Sequence, residues 1–372
     1  MYFTVNLSKE YLELEKLIHS FKHNKIKDTL FLCNNARAKH PRLNDISSFH
    51  NLLGLINLKL KDYSKSETNF LEAIKIRKNF PEAYFNLSLI YFNNGHLEKS
   101  YDALSTAYSL KKNYSSARDK MIELLTFYTP KKKEKNIFSL INDELKKIPF
   151  NFNFKKNILD REVQEYFNKC KSIVYSKVEY FRYNKLEIFK RKKTFLNCSR
   201  HKDIFNKEKI IPKFCFDCFK VVITTKNVFD LIKLSFLFER TNSYSKFNRK
   251  TMIDTRFGNI SFKGFIYCSN TNDVISLENK IREELKLLID KNIKVESKRG
   301  CSEFASSFSN YKNIHNDNSK MMQYPQSWKQ TEIEYDNENF AQNNKQENII
   351  VDNFLGVSLH NFLIINNWIK FN

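Results

Sequence analysis

The chain has 372 residues and a formal net charge of +22, with 41% hydrophobic and 28% charged residues. This length and composition allow two domains, each with its own core, and exclude a wholly disordered chain. Six glycines leave no glycine-rich phosphate loop, which disfavours P-loop and dinucleotide-binding chemistry. The sequence has no uncharged apolar run of about 18 residues and no basic-then-apolar start, so we expect neither a membrane span nor a secretory signal.

The positive charge is concentrated in the middle of the chain. Residues 130–220 hold 24 Lys/Arg and 11 Asp/Glu, a local charge of +13, whereas residues 302–372 carry −3. A basic excess of this size attracts polyanions such as nucleic acid. The alternative is the amino-acid bias of an AT-rich genome, because Lys, Asn, Ile and Phe are abundant while Gly and Pro are scarce.

The N-terminal third contains a repeat of 34 residues. Residues 47–80 align with residues 81–114 so that apolar and small positions coincide. Small residues at fixed positions let two helices approach closely, and large ones fill the gap between helix pairs. Pro81 marks a helix start, and Gly95 supplies the turn between the two helices of the second copy. The aligned pairs are Leu53/Leu87, Gly54/Ser88, Tyr63/Leu97, Ser66/Ser100, Phe70/Leu104 and Ala73/Ala107.

This spacing and pattern resembles the tetratricopeptide repeat (TPR) family. Residues 10–43 look like a third, degenerate repeat, and residues 115–128 read as the helix that covers the last hydrophobic face. The resemblance implies an α-solenoid over residues 1–128 whose first helices line a concave groove for a protein or peptide partner. The alternative is a solenoid that serves only for dimerisation or docking. The expected groove residues are Asn51, Leu55, Phe85, Asn86, Leu89 and Asn93.

Some TPR proteins clamp a C-terminal carboxylate with a set of Lys, Arg and Asn side chains. Asn86 alone matches that set here, so the resemblance does not imply this specificity.

A second folded region follows a basic linker and helical region over residues 129–194. The periodicity predicts the element order β-α-β-β-α-β, which is that of the ferredoxin-like split βαβ unit. We therefore expect a fold class of α plus α/β: an N-terminal TPR α-solenoid, then a ferredoxin-like α+β domain with a Cys/His knuckle over residues 195–304. Residues 305–372 are expected to form a polar, flexible tail with an apolar end. The predicted strands and helices are Phe219–Thr224, Asn227–Arg240, Thr251–Phe257, Phe262–Ser269, Asp273–Asp290 and Ile293–Arg299.

Immediately before the first predicted strand lies a Cys-x2-His-x13-Cys-x2-Cys pattern, formed by Cys198, His201, Cys215 and Cys218. Two pairs at this spacing can close a tetrahedral structural zinc site. Phenylalanines flank the second pair, so buried cysteines acting as small hydrophobic residues are an alternative, as is redox or catalytic use. Cys301 follows the last strand and, with His201, has the residue types for nucleophilic catalysis, although no spacing rule supports that pairing.

The cysteine count also bears on location. Seven cysteines, an odd number, without a secretory signal indicate a reduced, cytoplasmic protein. The repeats, together with the segments Cys198–Cys218, Phe262–Cys268 and Lys298–Phe304, resemble uncharacterised TPR proteins of AT-rich marine bacteria. That likeness implies a bacterial cytoplasm and no site roles.

One face of the predicted sheet carries aromatic rings among cations: Lys263, Phe265, Tyr267 and Arg256. The segment Lys263–Cys268 resembles the signature of RNA-recognition domains at its first three positions and carries an aromatic at the fifth. It departs from the signature at the fourth and sixth positions.

The sequence predicts a protein–protein interaction adaptor or scaffold, without an assigned catalytic residue. The alternatives are an RNA- or DNA-binding protein that uses the basic middle region and this sheet face, and a Cys/His-dependent enzyme of unknown reaction.

Overall fold

The structure is a computed structural model of the chain. It describes residues 8–23, 26–131, 136–191, 198–239, 244, 246–255, 258–289, 293–315, 317–339 and 356–371. Two compact units are present: Met1–Met121 with Gln330–Asn348, and Ile122–Lys329 with Ile349–Asn372. No helix in the described ranges is long and apolar enough to cross a membrane.

The N-terminal part of the chain forms antiparallel helical hairpins. Helix α3 packs on α4, α4 on α5 and α5 on α6, and α3 also contacts α5. In such a stack the first helices of successive repeats line one side of the solenoid. The elements are α1 (Ser8–His23), α2 (Ile26–Lys39), α3 (Ser47–Lys59), α4 (Tyr63–Ile76), α5 (Pro81–Asn93), α6 (Leu97–Leu110) and α7 (Ser115–Leu124).

Equivalent positions of the two repeats make equivalent hydrogen bonds. The Ser66 hydroxyl donates to the Gly54 carbonyl at 2.7 Å, and the Ser100 hydroxyl donates to the Ser88 carbonyl at 2.9 Å. Both serine side chains are buried, so each bond ties the two helices of one hairpin together where water cannot compete.

The turns of the two repeats also correspond. Gly95 adopts φ +77°, and Lys61, at the same repeat position, adopts φ +61°. Both values lie in the left-handed region, which glycine enters without strain and lysine does not. Helix α5 begins at Pro81, as predicted, where a missing N–H leaves no helical bond unmade.

The second unit contains an antiparallel sheet with strand order β1-β3-β4-β2-β5. The fold is thus a set of helical TPR-like repeats and a C-terminal antiparallel sheet domain with helices. The remaining elements are α8 (Ile137–Leu145), α9 (Asp160–Tyr175), β1 (Glu187–Lys190), α10 (Cys198–Glu208), β2 (Phe219–Thr225), α11 (Val228–Glu239), β3 (Asn248–Asp254), β4 (Ser261–Cys268), α12 (Thr271–Leu288), β5 (Lys294–Arg299), α13 (Trp328–Asn339) and α14 (Leu359–Trp368).

Helices α11 and α12 pack against strands of this sheet. Gly264 shows how closely α11 approaches, because a Cβ at this position would lie 2.4 Å from a methyl carbon of Leu234. Val221 and Ile266 are paired in the β2–β4 register and are fully buried. Side chains alternate along a strand, so Lys220, Phe265 and Tyr267 lie on the opposite face.

Strand β1, which pairs with β3 at the sheet edge, was not predicted. Residues 305–372, where a polar tail with an apolar end was expected, contain α13 and, at the apolar end, the buried α14. Trp368 of α14 is fully buried, and its indole N–H donates to the Leu186 carbonyl at 2.8 Å.

Candidate functional site

The predicted groove residues lie on the first helices of the two repeats. Asn51 and Leu55 belong to α3, and Phe85, Leu89 and Asn93 belong to α5; these five side chains are half-buried. They fall on successive turns of two contacting helices, and we refer to this set of apolar and amide side chains as the strip.

Asn86, the sixth predicted groove residue, is buried rather than half-buried. Its amide Nδ2 donates to Oδ1 of Asn51 at 2.9 Å, which joins α5 to α3. Asn86 therefore stabilises the floor of the strip, and its amide is already engaged within the protein.

Two residues of the strip, Phe85 and Leu55, contact side chains outside it. The Phe85 ring lies 5.4 Å from the Tyr114 ring, and burial raises the pKa of Tyr114 to about 12. Leu55 packs against a cluster that includes Phe70 and Ile90. The strip is thus anchored on the repeat core, which limits its freedom to collapse.

The cysteine pattern has a different geometry from the one predicted. Cys198 and His201 occupy the first turn of helix α10, so the predicted first knuckle is an α-helix. Cys215 lies in a short 3-10 turn, Lys213–Asp217, directly before β2, and the Cys218 N–H donates to the Cys215 carbonyl at 3.4 Å. The first pair lacks the glycine that a tight knuckle favours, and this absence is compatible with a helix.

His201 is buried, and its ring stacks on Phe214 at a centroid distance of 5.2 Å. No group of three or more His, Cys, Asp or Glu side chains in the described ranges is arranged to hold a metal ion. The zinc site predicted at Cys198, His201, Cys215 and Cys218 therefore stays a prediction, which metal analysis of the purified protein tests.

The structure brings Cys301 to the predicted cysteines. Cys301 and Cys215 hydrogen-bond through their thiols. This bond lowers the pKa of Cys301, with the nearby Lys220 and Lys202 acting in the same direction. The same bond, together with burial, raises the pKa of Cys215.

Cys218 and Cys198 lie close enough to Cys301 for its charge to affect their pKa values. Burial raises the pKa of Cys218 to about 12, and the nearby Cys301 and Cys198 add to the effect. Burial also raises the pKa of Cys198, which is half-buried, and Cys301 again contributes. Four of the seven cysteines therefore converge from three separate parts of the sequence.

Residues that the sequence did not single out organise this region. Arg299 is almost fully buried and donates to the carbonyls of Phe216 and Met322. Its guanidinium also lies 5.4 Å from the centre of the Tyr311 ring. Since Tyr311 in turn donates to the Cys215 carbonyl at 2.9 Å, these side chains hold the turn before β2 against the loop after β5. In a sequence this rich in Lys and Arg, nothing distinguishes the buried Arg299 from exposed cations, so the sequence could not single it out.

The predicted nucleic-acid face is largely covered. Phe265 is only 8% exposed, and burial raises the pKa of Tyr267. The Lys263 ammonium is paired with Asp254 at 2.9 Å, and Arg256 lies outside the described residues. Base stacking needs an accessible ring face, so this arrangement does not support the RNA- or DNA-binding alternative.

Comparisons with known proteins support the repeats. The tetratricopeptide repeat family model matches residues 47–80 and 81–114, so the prediction of two TPR repeats is confirmed. No curated protein matches the chain. The predicted likeness to proteins of AT-rich marine bacteria stays a prediction.

Two solved structures are similar to part of the chain. The first TPR of Spaghetti (RPAP3) bound to the HSP90 peptide SRMEEVD is 16% identical, with a TM-score of 0.30, covering 33% of this chain and 95% of that chain. A mutant O-GlcNAc transferase of Thermobaculum terrenum is 16% identical, with a TM-score of 0.31, covering 43% of this chain and 30% of that chain. At these TM-scores neither likeness supports a statement about ligands or partners.

Proposed function

We propose that the protein is an adaptor that binds a peptide or helical segment of a partner protein along α3 and α5. The observation that carries the proposal is the strip of half-buried side chains at matching positions of two confirmed repeats, including Leu55, Phe85 and Leu89. Apolar side chains on successive helix turns give an extended partner several small contacts, which suits reversible binding.

A quantitative pull-down from native lysate tests this proposal. Leu89→Glu places a charge in the strip, whereas Leu71→Glu places the same charge on α4, where Leu71 is 45% exposed. We expect Leu89→Glu to reduce the recovery of the bound protein at least tenfold and Leu71→Glu to leave it unchanged. Equal recovery with both variants contradicts the proposal. Asn86→Ala is a less clean probe, because its amide joins α5 to α3.

We also propose that the sheet domain is ferredoxin-like. The support is the element order β2-α11-β3-β4-α12-β5 combined with the spatial order β3-β4-β2-β5, in which each neighbouring pair is antiparallel. Strand β1 then extends the four-stranded unit at its β3 edge. In this proposal the domain gives the adaptor a second folded surface. Distance restraints from NMR of backbone amides across the β2–β4 and β2–β5 pairs test the strand order.

A further inference from the structure

Arg299, the last residue of β5, carries a positive charge into the interior of the sheet domain. Arg299 is 2% exposed, and the centroids of the Phe216, Phe219 and Tyr311 rings lie 5.7, 5.0 and 5.4 Å from its guanidinium carbon. Two guanidinium nitrogens, Nη1 and Nη2, donate to backbone carbonyls. The remaining nitrogen, Nε, is buried and has no hydrogen-bond partner.

The charge of Arg299 is not matched by a carboxylate. Among the residues that the structure describes, none forms an ion pair with Arg299. An arginine side chain stays charged in proteins, and burying a charge without a counter-ion is strongly unfavourable. Ring faces and carbonyl dipoles offset this cost in part, whereas an anion offsets it with a full opposite charge. The position of Arg299 therefore favours an anion as its neighbour.

A cavity of about 140 Å³ lies beside Arg299. Its lining includes Ser269, Asn270 and Thr271, at the start of helix α12. A water molecule takes about 30 Å³ in the liquid, so the cavity has room for about four waters or for one small oxyanion. Asp217 also lines the cavity, but this residue is exposed, and in the described ranges its carboxylate forms no ion pair with Arg299.

The start of α12 contributes hydrogen-bond donors to this cavity. The first N–H groups of a helix have no partner within the helix and carry a partial positive charge. The Asn270 side chain caps one of them, because its Oδ1 accepts from the Asp273 N–H at 2.7 Å. The N–H groups of Thr271 and Asn272 have no acceptor within the helix, and the hydroxyls of Ser269 and Thr271 belong to the cavity lining.

Two positive groups thus share one small cavity: the Arg299 guanidinium and the N-terminal end of an 18-residue helix. Their mutual repulsion falls when an anion lies between them. The Asp273 carboxylate, in the first turn of α12, is held by the Asn270 amide at 3.0 Å and lies 3.7 Å from the Lys246 ammonium. It is therefore engaged outside the cavity.

We propose that this cavity binds a phosphate group, held by the Arg299 Nε–H and by the first N–H groups of α12. A phosphate there neutralises the buried charge and accepts from both sets of donors. Its tetrahedral oxygens reach donors on different walls of the cavity, whereas a planar carboxylate reaches fewer of them. The same recognition applies to free inorganic phosphate and to the phosphate group of a small monoester.

The test is titration calorimetry of the full chain with inorganic phosphate and with glycerol 3-phosphate, at an ionic strength held constant with chloride. We expect saturable binding of one phosphate group per chain, and we expect the Thr271 and Asn272 amide resonances to shift in proton–nitrogen NMR spectra. Tighter binding of one probe identifies the free ion or the monoester as the better ligand. Binding of neither probe overturns the proposal, as does binding that shifts only amides elsewhere.

Two variants and a matched control locate the site. Arg299→Gln should weaken binding about tenfold or more, because it removes a charge-assisted hydrogen bond. Arg282→Gln removes the same charge from a position on α12 where the side chain is 41% exposed and paired with Glu278, so this variant should bind as the unchanged protein does. Equal affinity of Arg299→Gln and Arg282→Gln overturns the proposal.

Ser269→Asp keeps the test decisive if Arg299→Gln fails to fold. Ser269 is exposed, so an aspartate is tolerated there, and its carboxylate lies at the cavity lining. Repulsion between this carboxylate and the phosphate should weaken binding about tenfold or more. Unchanged affinity in Ser269→Asp overturns the proposal.

Discussion

Gly54 and Phe70 form a close helix–helix contact that distinguishes the first repeat from the second. A Cβ at Gly54 would lie 2.5 Å from one ring carbon of Phe70 and 2.6 Å from another, closer than atoms can approach without movement. The second repeat places Ser88 and Leu104 at the same positions, so there a small side chain faces a smaller partner. We predict that Gly54→Ser destabilises the first repeat and that Phe70→Leu relieves the damage.

The magnitudes follow from the contact. Overpacking a buried site destabilises a protein by about 1–3 kcal/mol, whereas serine is about 0.5 kcal/mol more favourable than glycine in a helix interior. Gly54→Ser should therefore lower the free energy of unfolding by about 1–2 kcal/mol. Phe70→Leu alone leaves a void and should cost about 1–2 kcal/mol. Together the two changes remove both the overlap and much of the void, so we expect a stabilising coupling energy of about 1–2 kcal/mol.

Native-state hydrogen exchange of amides in α3 and α4 measures this coupling, because it reports the opening of these helices separately from the rest of the chain. The reverse cycle is the control: Leu104→Phe should destabilise the second repeat, and Ser88→Gly should restore it. Additive free energies in the Gly54/Phe70 cycle would refute the account of the repeats as size-matched helix pairs.

Three further predictions concern stability, measured by urea unfolding with hydrogen exchange to localise the change. Ser66→Ala and Ser100→Ala should each cost about 1 kcal/mol, because each removes a buried hydrogen bond to a helix carbonyl; no loss in either contradicts their equivalence. Lys61→Gly should stabilise the first repeat by up to about 1 kcal/mol, because glycine adopts the left-handed φ of this position without strain. A loss of stability in this variant argues against strain at Lys61. Lys190→Met should lower the free energy of unfolding by about 3–5 kcal/mol, because it removes the ammonium that lies 3.0 Å from the buried Glu239 carboxylate. Adding Glu239→Leu should restore the stability, and failure to restore it contradicts the explanation.

The sequence predicted the repeats well because their signals are local and recur. Gly54 and Ser66 mark positions where size and hydrogen bonding are fixed by a neighbouring helix, and the second copy repeats the pattern. The six element assignments in the sheet domain also correspond to the observed strands and helices, since each has clear alternation or helical spacing. Strand β1 has only four residues, which is too short to show a period.

The cysteine region was harder to predict because it depends on contacts between distant segments. The spacing of Cys198 and His201 suits a knuckle, yet it suits a helix turn equally well, and the structure has the helix. The contact of Cys301 with Cys215 follows from the β2–β5 pairing, which no local pattern encodes. The buried position of Arg299 likewise depends on rings contributed by a later loop.

Helices α3 and α5 are proposed to bind a polypeptide segment of a partner protein. The most direct measurement is the affinity of a peptide selected from a random display library on the full chain, determined by titration calorimetry. We expect micromolar binding that protects α3 and α5 amides from exchange and that weakens at least tenfold in Leu89→Glu but not in Leu71→Glu. Failure to select any peptide, or a selected peptide that binds both variants equally, would contradict it.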